Sequence, residues 1–170
     1  LERNFDQGEP LRVLLIDLTY LYYSNGQKAY LSAIKGGATK EILAYHVSSS
    51  SLKKSLVYKT LDQLMEREDF IPHPECYLHS DQGMHYTHPD FQQKGLALGF
   101  TQSMSHKGNC WDKAPMESFF GHFKDGIDLK ACRSLFEVKR GIKDYIDHYN
   151  NQRYQWSLYP HKVLLQKVFL

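Results

Sequence analysis

The patterned part of the chain opens with Leu11-Arg12-Val13-Leu14-Leu15-Ile16-Asp17-Leu18-Thr19-Tyr20-Leu21-Tyr22-Tyr23, apolar at successive positions through its centre. An aliphatic and aromatic run that does not alternate with polar residues suits a central strand covered on both faces. Ser24-Asn25-Gly26 follows, and Asn-Gly between two strand-like runs predicts a tight hairpin turn whose two residues both accept positive φ. The return strand spans about 28–34, Gly36-Gly37 predicts a second turn, and 41–47 reads as a third strand. The chain therefore begins as a three-stranded antiparallel meander. The period then changes. Leu52, Leu56, Val57, Leu61, Leu64 and Met65 recur at three- and four-residue spacing, which predicts a helix over 52–68, with Ser48 to Ser51 as N-cap candidates and Pro72 and Pro74 beyond its end. A strand over 76–79, a helix over 89–98 and an extended piece over 100–103 come next. A polar loop over 105–109 leads into a helix over 112–124 that tolerates Pro115 in its first turn. A last helix over 134–149 aligns Leu135, Val138, Ile142, Tyr145, Ile146 and Tyr149 on one stripe. The order β-β-β-α-β-α-β-α-α predicts a mixed α/β fold with helices on both sheet faces. Residues 1–10 read as a flexible lead-in, 11–149 as the core, and 150–170, which holds Trp156, as a tail packing back on it.

Composition narrows the function classes. At 170 residues, with 42% apolar and 24% charged, the chain has the size of one domain and enough apolar mass for a core. Its net charge of +2 is too small, taken whole, to announce a polyanion binder. No apolar run approaches the roughly 18 residues of a membrane span, and the first ten residues lack a basic-then-apolar leader pattern. A membrane or secreted protein is not expected. Cys76, Cys110 and Cys132 contain no Cys-x-x-Cys pair, and no histidine joins them at zinc-ligand spacing, so they read as reduced thiols of a cytoplasmic protein.

Three carboxylates stand where their surroundings argue for chemistry. Asp17 interrupts the most apolar run of the chain, where an unpaired carboxylate costs several kcal/mol, as an order of magnitude (~), and calls for a cation. Asp81 ends a later strand, in His79-Ser80-Asp81-Gln82-Gly83, and sites in α/β sheets gather at such ends. Glu117 lies in the first turns of the helix after the polar loop, and 35 residues separate it from Asp81. Each alone has a plain structural reading: an edge or strand-end Asp, a turn-stabilising Asp, and a first-turn Glu favoured by the helix dipole. Their joint spacing and element order are more specific.

With those flanks, the sequence resembles the integrase-type catalytic core of bacterial insertion-sequence transposases, the Asp-Asp-Glu class related to retroviral integrases. The matching segments are Ile16-Asp17-Leu18-Thr19-Tyr20, His79-Ser80-Asp81-Gln82-Gly83, and Gly108-Asn109-Cys110-Trp111-Asp112-Lys113-Ala114-Pro115-Met116-Glu117-Ser118-Phe119-Phe120, with Tyr149-Asn150-Asn151-Gln152-Arg153 following the last long helix. The resemblance covers about residues 11–158. It implies a ribonuclease-H-like mixed five-stranded sheet, three antiparallel strands and then two parallel. It also implies metal-dependent cleavage of DNA at element ends and transfer of the freed 3′-hydroxyl into target DNA. The partners expected are element-end and target DNA and, in the active assembly, further copies of the chain, with no small-molecule cofactor, in the bacterial cytoplasm at the nucleoid.

The chemistry suits the residues. Two Mg²⁺ or Mn²⁺ ions about 3.5–4 Å apart stabilise both the attacking and leaving oxygens of an in-line displacement, and hard carboxylate oxygens suit such ions. Asp17 is expected to bridge both, with Asp81 and Glu117 holding one each. On the Glu117 helix, Met116, Phe119, Phe120 and Phe123 form an apolar stripe, while Lys113, Glu117, Gly121 and Lys124 line another side. Lys107, Lys113 and Lys124 are the candidate DNA contacts, and by the resemblance a basic residue seven positions after the Glu touches DNA. Lys113 departs from the family, which usually has Asn there, as does Gly36-Gly37, where relatives often have Asp. Past Trp156 the Ser157-Leu158-Tyr159-Pro160 stretch departs as well, and no helix-turn-helix precedes residue 11. Two other readings accompany this one: a catalytically silent DNA-binding or assembly remnant, and a ribonuclease-H-like nuclease that cleaves without joining. The charge also divides unevenly, with net −2 over 1–85 and net +4 over 86–170.

Overall fold

A computed structural model describes residues 5, 9–50, 52–105 and 114–152. Five strands form one sheet: β1 Val13–Tyr23, β2 Gln27–Gly36, β3 Ile42–Ser48, β4 Cys76–Ser80 and β5 Phe100–Met104. Their order across the sheet is β3-β2-β1-β4-β5. The β1–β2 and β2–β3 pairs are antiparallel, and β1–β4 and β4–β5 are parallel, as expected for a ribonuclease-H-like sheet. The helices are α1 Lys53–Met65, α2 Met84–Thr87, α3 Pro89–Ala97, α4 Ala114–Gly126 and α5 Leu135–Asn151.

Each sheet face has its own core. Leu14, Ile16, Ile34 and Leu78 pack with Val57, Leu61 and Leu64 of α1 and Phe91 of α3. Val13, Leu15, Leu31 and Ala33 pack with Met116, Phe119, Phe120 and Phe123 of α4 and with Val138, Ile142, Ile146 and Tyr149 of α5. Val13 to Ile16 therefore alternate between two buried faces, which is why no polar residue alternates with them. Where β1 outruns its neighbour β4, alternation returns. Leu21 and Tyr23 are buried while Tyr20 and Tyr22 are exposed.

Helix α5 begins at Ser134, whose side chain accepts from the Glu137 N–H, while the Glu137 carboxylate accepts from the Arg133 N–H. This is a reciprocal N-terminal cap. At its other end, the Asn150 amide brackets one residue of the sheet. Its Oδ1 accepts from the Ile42 N–H and its Nδ2 donates to the Ile42 carbonyl, both at 2.9 Å. The Tyr149-Asn150 motif thus clips the end of α5 to the start of β3, and α5 takes in residues assigned by sequence to the tail.

Several local expectations are corrected. The β1–β2 turn is a three-residue loop between the paired Tyr23 and Gln27, and Ser24 and Gly26, not Asn25 and Gly26, carry the positive φ. Ser48, Ser49 and Ser50 do not cap α1, and Ser51 lies outside the described residues. Ser48 and Ser50 instead accept from the backbone N–H groups of Ser50 and Leu52, and Leu52 is the N-cap without a side-chain bond. Helix α1 stops at Met65, short of 68, where Arg67 turns back to donate to the Leu43 carbonyl and pair with Asp69. The short helix α2 was not expected. Residues 106–113 and 153–170 lie outside the described residues, and with them the start of the helix expected at 112. Among the described residues, no helix is long and apolar enough to cross a membrane.

Candidate active site

Register brings the two aspartates together. In the β1–β4 ladder Val13 pairs with Tyr77, Leu14 with Leu78 and Leu15 with His79. Asp17 and Asp81 each stand two residues beyond the last pair, at the same level of neighbouring parallel strands, which run about 4.7–4.9 Å apart. Both line one narrow crevice with Leu15, Ile16, His79, Ser80, Pro115 and Met116. The first turn of α4 thus forms a wall of the crevice that holds both aspartates.

Each aspartate is oriented by backbone. The Leu18 N–H donates to Asp17 Oδ1 at 2.8 Å, and the Gly83 N–H donates to Asp81 Oδ1 at 2.7 Å. The turn-stabilising reading of Asp81 is therefore correct as far as it goes, and it also fixes the carboxylate. The Gly83 position is close-packed: a Cβ there would stand 2.8 Å from Asp81 Oδ1 and 2.6 Å from the His85 ring, so a side chain would displace one or both. The floor of the loop is pinned by Ser105 N–H to the Ser80 carbonyl and by Gln82 Nε2 to the Ser105 carbonyl, both 3.0 Å. Buried His79 meets Ser103 Oγ through Nδ1 at 3.0 Å.

Tyr86 is wholly buried, in the core on the α1 and α3 side of the sheet, and its hydroxyl has no hydrogen-bond partner among the described residues. Burial pushes its pKa well above the ordinary tyrosine value, and the charges of Asp17 and Asp81 push it further the same way. Two carboxylates lining one crevice form a locally negative, oxygen-rich seat. Like charges so placed favour a shared cation.

The third carboxylate arrives differently. Glu117 follows directly on Met116 but is exposed and does not line the crevice. Among the described residues, no three His, Cys, Asp or Glu side chains are grouped closely enough to hold a metal ion. Two of the three expected ligands are thus brought together, and the third stands one residue past their wall. Lys124 is exposed in the last turns of α4, and its Nζ lies 5.4 Å from the Tyr20 ring centroid. Lys107 and Lys113 lie outside the described residues.

Lys35 was missed by sequence reasoning. It pairs with Leu15 across β1–β2, is buried, and donates from Nζ to the Pro115 carbonyl at 3.1 Å. Its ammonium also lies 6.0 Å from the Phe119 ring centroid, on the same helix. A buried lysine of the sheet thereby holds the first turn of the helix that carries Glu117. Its place beside Gly36-Gly37 reads as a turn in the sequence, so burial was not legible there. Tyr86 was one of twelve tyrosines, and only the fold distinguishes it.

A family model described as "Integrase core domain" matches residues 7–110, and a second with the same description matches 98–161. A putative transposase, InsK, for insertion sequence element IS150 of Escherichia coli K12 is 34% identical over 159 residues, covering 93% of this chain and 55% of its own length. An uncharacterised transposase-like protein of Haemophilus influenzae is 33% identical over 159 residues, 93% of this chain and 71% of its own length. The chain thus spans little more than half of the first of these relatives. Among solved structures, the catalytic core domain of BIV integrase matches with TM-score 0.64 at 15% identity, covering 94% of this chain and 99% of that one. The catalytic domain of Mos1 mariner transposase matches with TM-score 0.60 at 13% identity, over 86% and 74%. At such identities the structural likeness establishes the fold.

Proposed function

The chain belongs to the integrase core domain family, as the catalytic cores of insertion-sequence transposases do, and from that premise we propose that it cuts DNA at element ends and joins the freed 3′-hydroxyl to target DNA. The observation that carries this reading is that Asp17 and Asp81, each two residues beyond the last β1–β4 pair, line one crevice walled by the first turn of the Glu117 helix. The carboxylate oxygens of the donor set fit a divalent cation. Asp17, Asp81 and Glu117 would together hold the Mg²⁺ or Mn²⁺ ions. When bound, such ions activate the attacking hydroxyl and stabilise charge on the leaving oxygen.

The chain's own residues do the positioning. Backbone N–H groups of Leu18 and Gly83 hold the two carboxylates in fixed orientation, and Lys35 fixes the approach of α4. Lys107, Lys113 and Lys124 would receive the phosphate backbone. The weak net charge implies that duplex grip draws on more than this chain, because each neutralised phosphate adds only one step of salt-dependent affinity. The work would be done by several copies of the chain at the nucleoid.

A joining assay tests the reading. A duplex with a pre-cut 3′-hydroxyl end, taken from DNA flanking the gene, is incubated with supercoiled plasmid and Mn²⁺. Joined product is expected with Mn²⁺ or Mg²⁺ and none with a chelator. Cleavage without joining would point to a nuclease, and binding without either product would point to a silent assembly domain.

A further inference from the structure

Tyr20 and Tyr22 are about half exposed, at 52% and 53%, on the part of β1 that extends beyond its pairing with β4. Their rings meet edge-on, with centroids 5.6 Å apart at 82°. Lys28, paired with Tyr22 across the hairpin, places its Nζ 5.7 Å from the Tyr20 centroid and 5.5 Å from that of Tyr22. Lys124 reaches the Tyr20 ring from α4 at 5.4 Å. The cluster therefore joins the two elements that carry the outer members of the candidate triad. Tyr20 is three residues past Asp17, and Lys124 is seven past Glu117.

A second lysine–tyrosine cluster in the same molecule gives the contrast. At Tyr58, Lys54 and Lys94 also lie over the ring, at 5.7 and 5.8 Å, but each is bound to a carboxylate, Asp90 and Asp62, at 2.5 Å. That network is closed. At Tyr20 and Tyr22, among the described residues, neither lysine pairs with a carboxylate, and both ring systems remain open to solvent. Exposed aromatic faces beside unneutralised cations match a ligand with flat π-faces strung on an anionic backbone, and single-stranded nucleic acid has that chemistry.

We propose that Tyr20, Tyr22, Lys28 and Lys124 form a stacking platform for unpaired DNA bases beside the site of strand cleavage. The inference rests on the DNA-processing reading above and deepens it. The aromatics would hold bases splayed from the cut end, and the two lysines would receive the flanking phosphates. Base–aromatic stacking lost on alanine substitution weakens binding by roughly 5- to 150-fold per base.

The test uses the 170-residue chain and a duplex bearing a short unpaired overhang with 2-aminopurine, alongside a blunt duplex of the same sequence. Binding and fluorescence quenching are read for wild type, Tyr20→Ala/Tyr22→Ala and Tyr20→Phe/Tyr22→Phe. The alanine pair is expected to lose the quench and bind the overhang at least about tenfold more weakly, with blunt-duplex binding unchanged. The phenylalanine pair is expected to keep both, since stacking needs no hydroxyl. Equal overhang binding by wild type and the alanine pair would overturn the platform, and so would an equal loss on blunt duplex, which signals phosphate contact alone. Loss of quench in the phenylalanine pair would replace stacking by hydroxyl hydrogen bonding and overturn it as well. Wild type that joins DNA in the assay above yet binds the overhang no better than the blunt duplex would overturn the platform, whereas wild type without metal-dependent joining would overturn the DNA-processing reading, a distinguishable result. Both tyrosines are exposed, so an unchanged thermal transition verifies that every variant is folded.

Discussion

Glu117→Gln is expected to lower metal-dependent joining by about 10³-fold or more while leaving the thermal transition almost unmoved. A ligand carboxylate that holds a metal against developing phosphate charge contributes several kcal/mol to the transition state, and about 4 kcal/mol corresponds to a thousandfold. Glutamine keeps the shape and helix propensity of glutamate but cannot neutralise a divalent cation. The side chain is exposed, so folding loses at most the interaction of a first-turn carboxylate with the helix dipole, about 0.3–1 kcal/mol. The same assay applied to Asp17→Asn and Asp81→Asn is expected to give losses of the same order. Joining within tenfold of wild type in the Glu117 variant would remove Glu117 from the site and leave the two aspartates to be explained by themselves.

The largest expected effect on stability belongs to the helix that carries Glu117. Phe119 is 1% exposed, with Phe120, Phe123 and Tyr149 at ring-centroid distances of 5.3, 5.9 and 5.0 Å. Truncation to alanine removes those contacts and leaves a cavity between α4 and α5, at a cost of about 3–5 kcal/mol. For a domain of this size that lowers Tm by roughly 10 °C. Phe136→Ala on α5 provides the control, since its ring is 75% exposed and its removal should stay within about 0.5 kcal/mol. Thermal unfolding followed by circular dichroism distinguishes the two. Equal shifts would mean that α4 is not anchored by this cluster.

Much of the site was legible because the sequence breaks its own patterns there. Asp17 is conspicuous inside a run buried on both faces, and Asp81 ends a short strand ahead of a glycine whose N–H binds the carboxylate. The register that sets Asp17 level with Asp81 was not legible, because parallel pairing between distant strands leaves no local mark. Lys35 escaped for a related reason. A lysine before Gly36-Gly37 looks like a turn residue, and only the packing of α4 across β2 makes it a buried tether. The serine run and the Asn-Gly turn misled in smaller ways, since several neighbouring residues could serve and backbone geometry chose among them. The amphipathic stripe of α5, by contrast, carried over directly, with Val138, Ile142, Ile146 and Tyr149 all buried.

On the proposed function, Asp17 and Asp81, completed by Glu117, form a seat for divalent metal. Anomalous diffraction from crystals of the chain soaked in Mn²⁺ tests it most directly. A manganese peak is predicted between the Asp17 and Asp81 carboxylates, with Glu117 drawn in from the exposed side of α4 as the third ligand. A well-ordered crystal at saturating Mn²⁺ with no peak in that crevice, or with its manganese bound elsewhere, would contradict the claim.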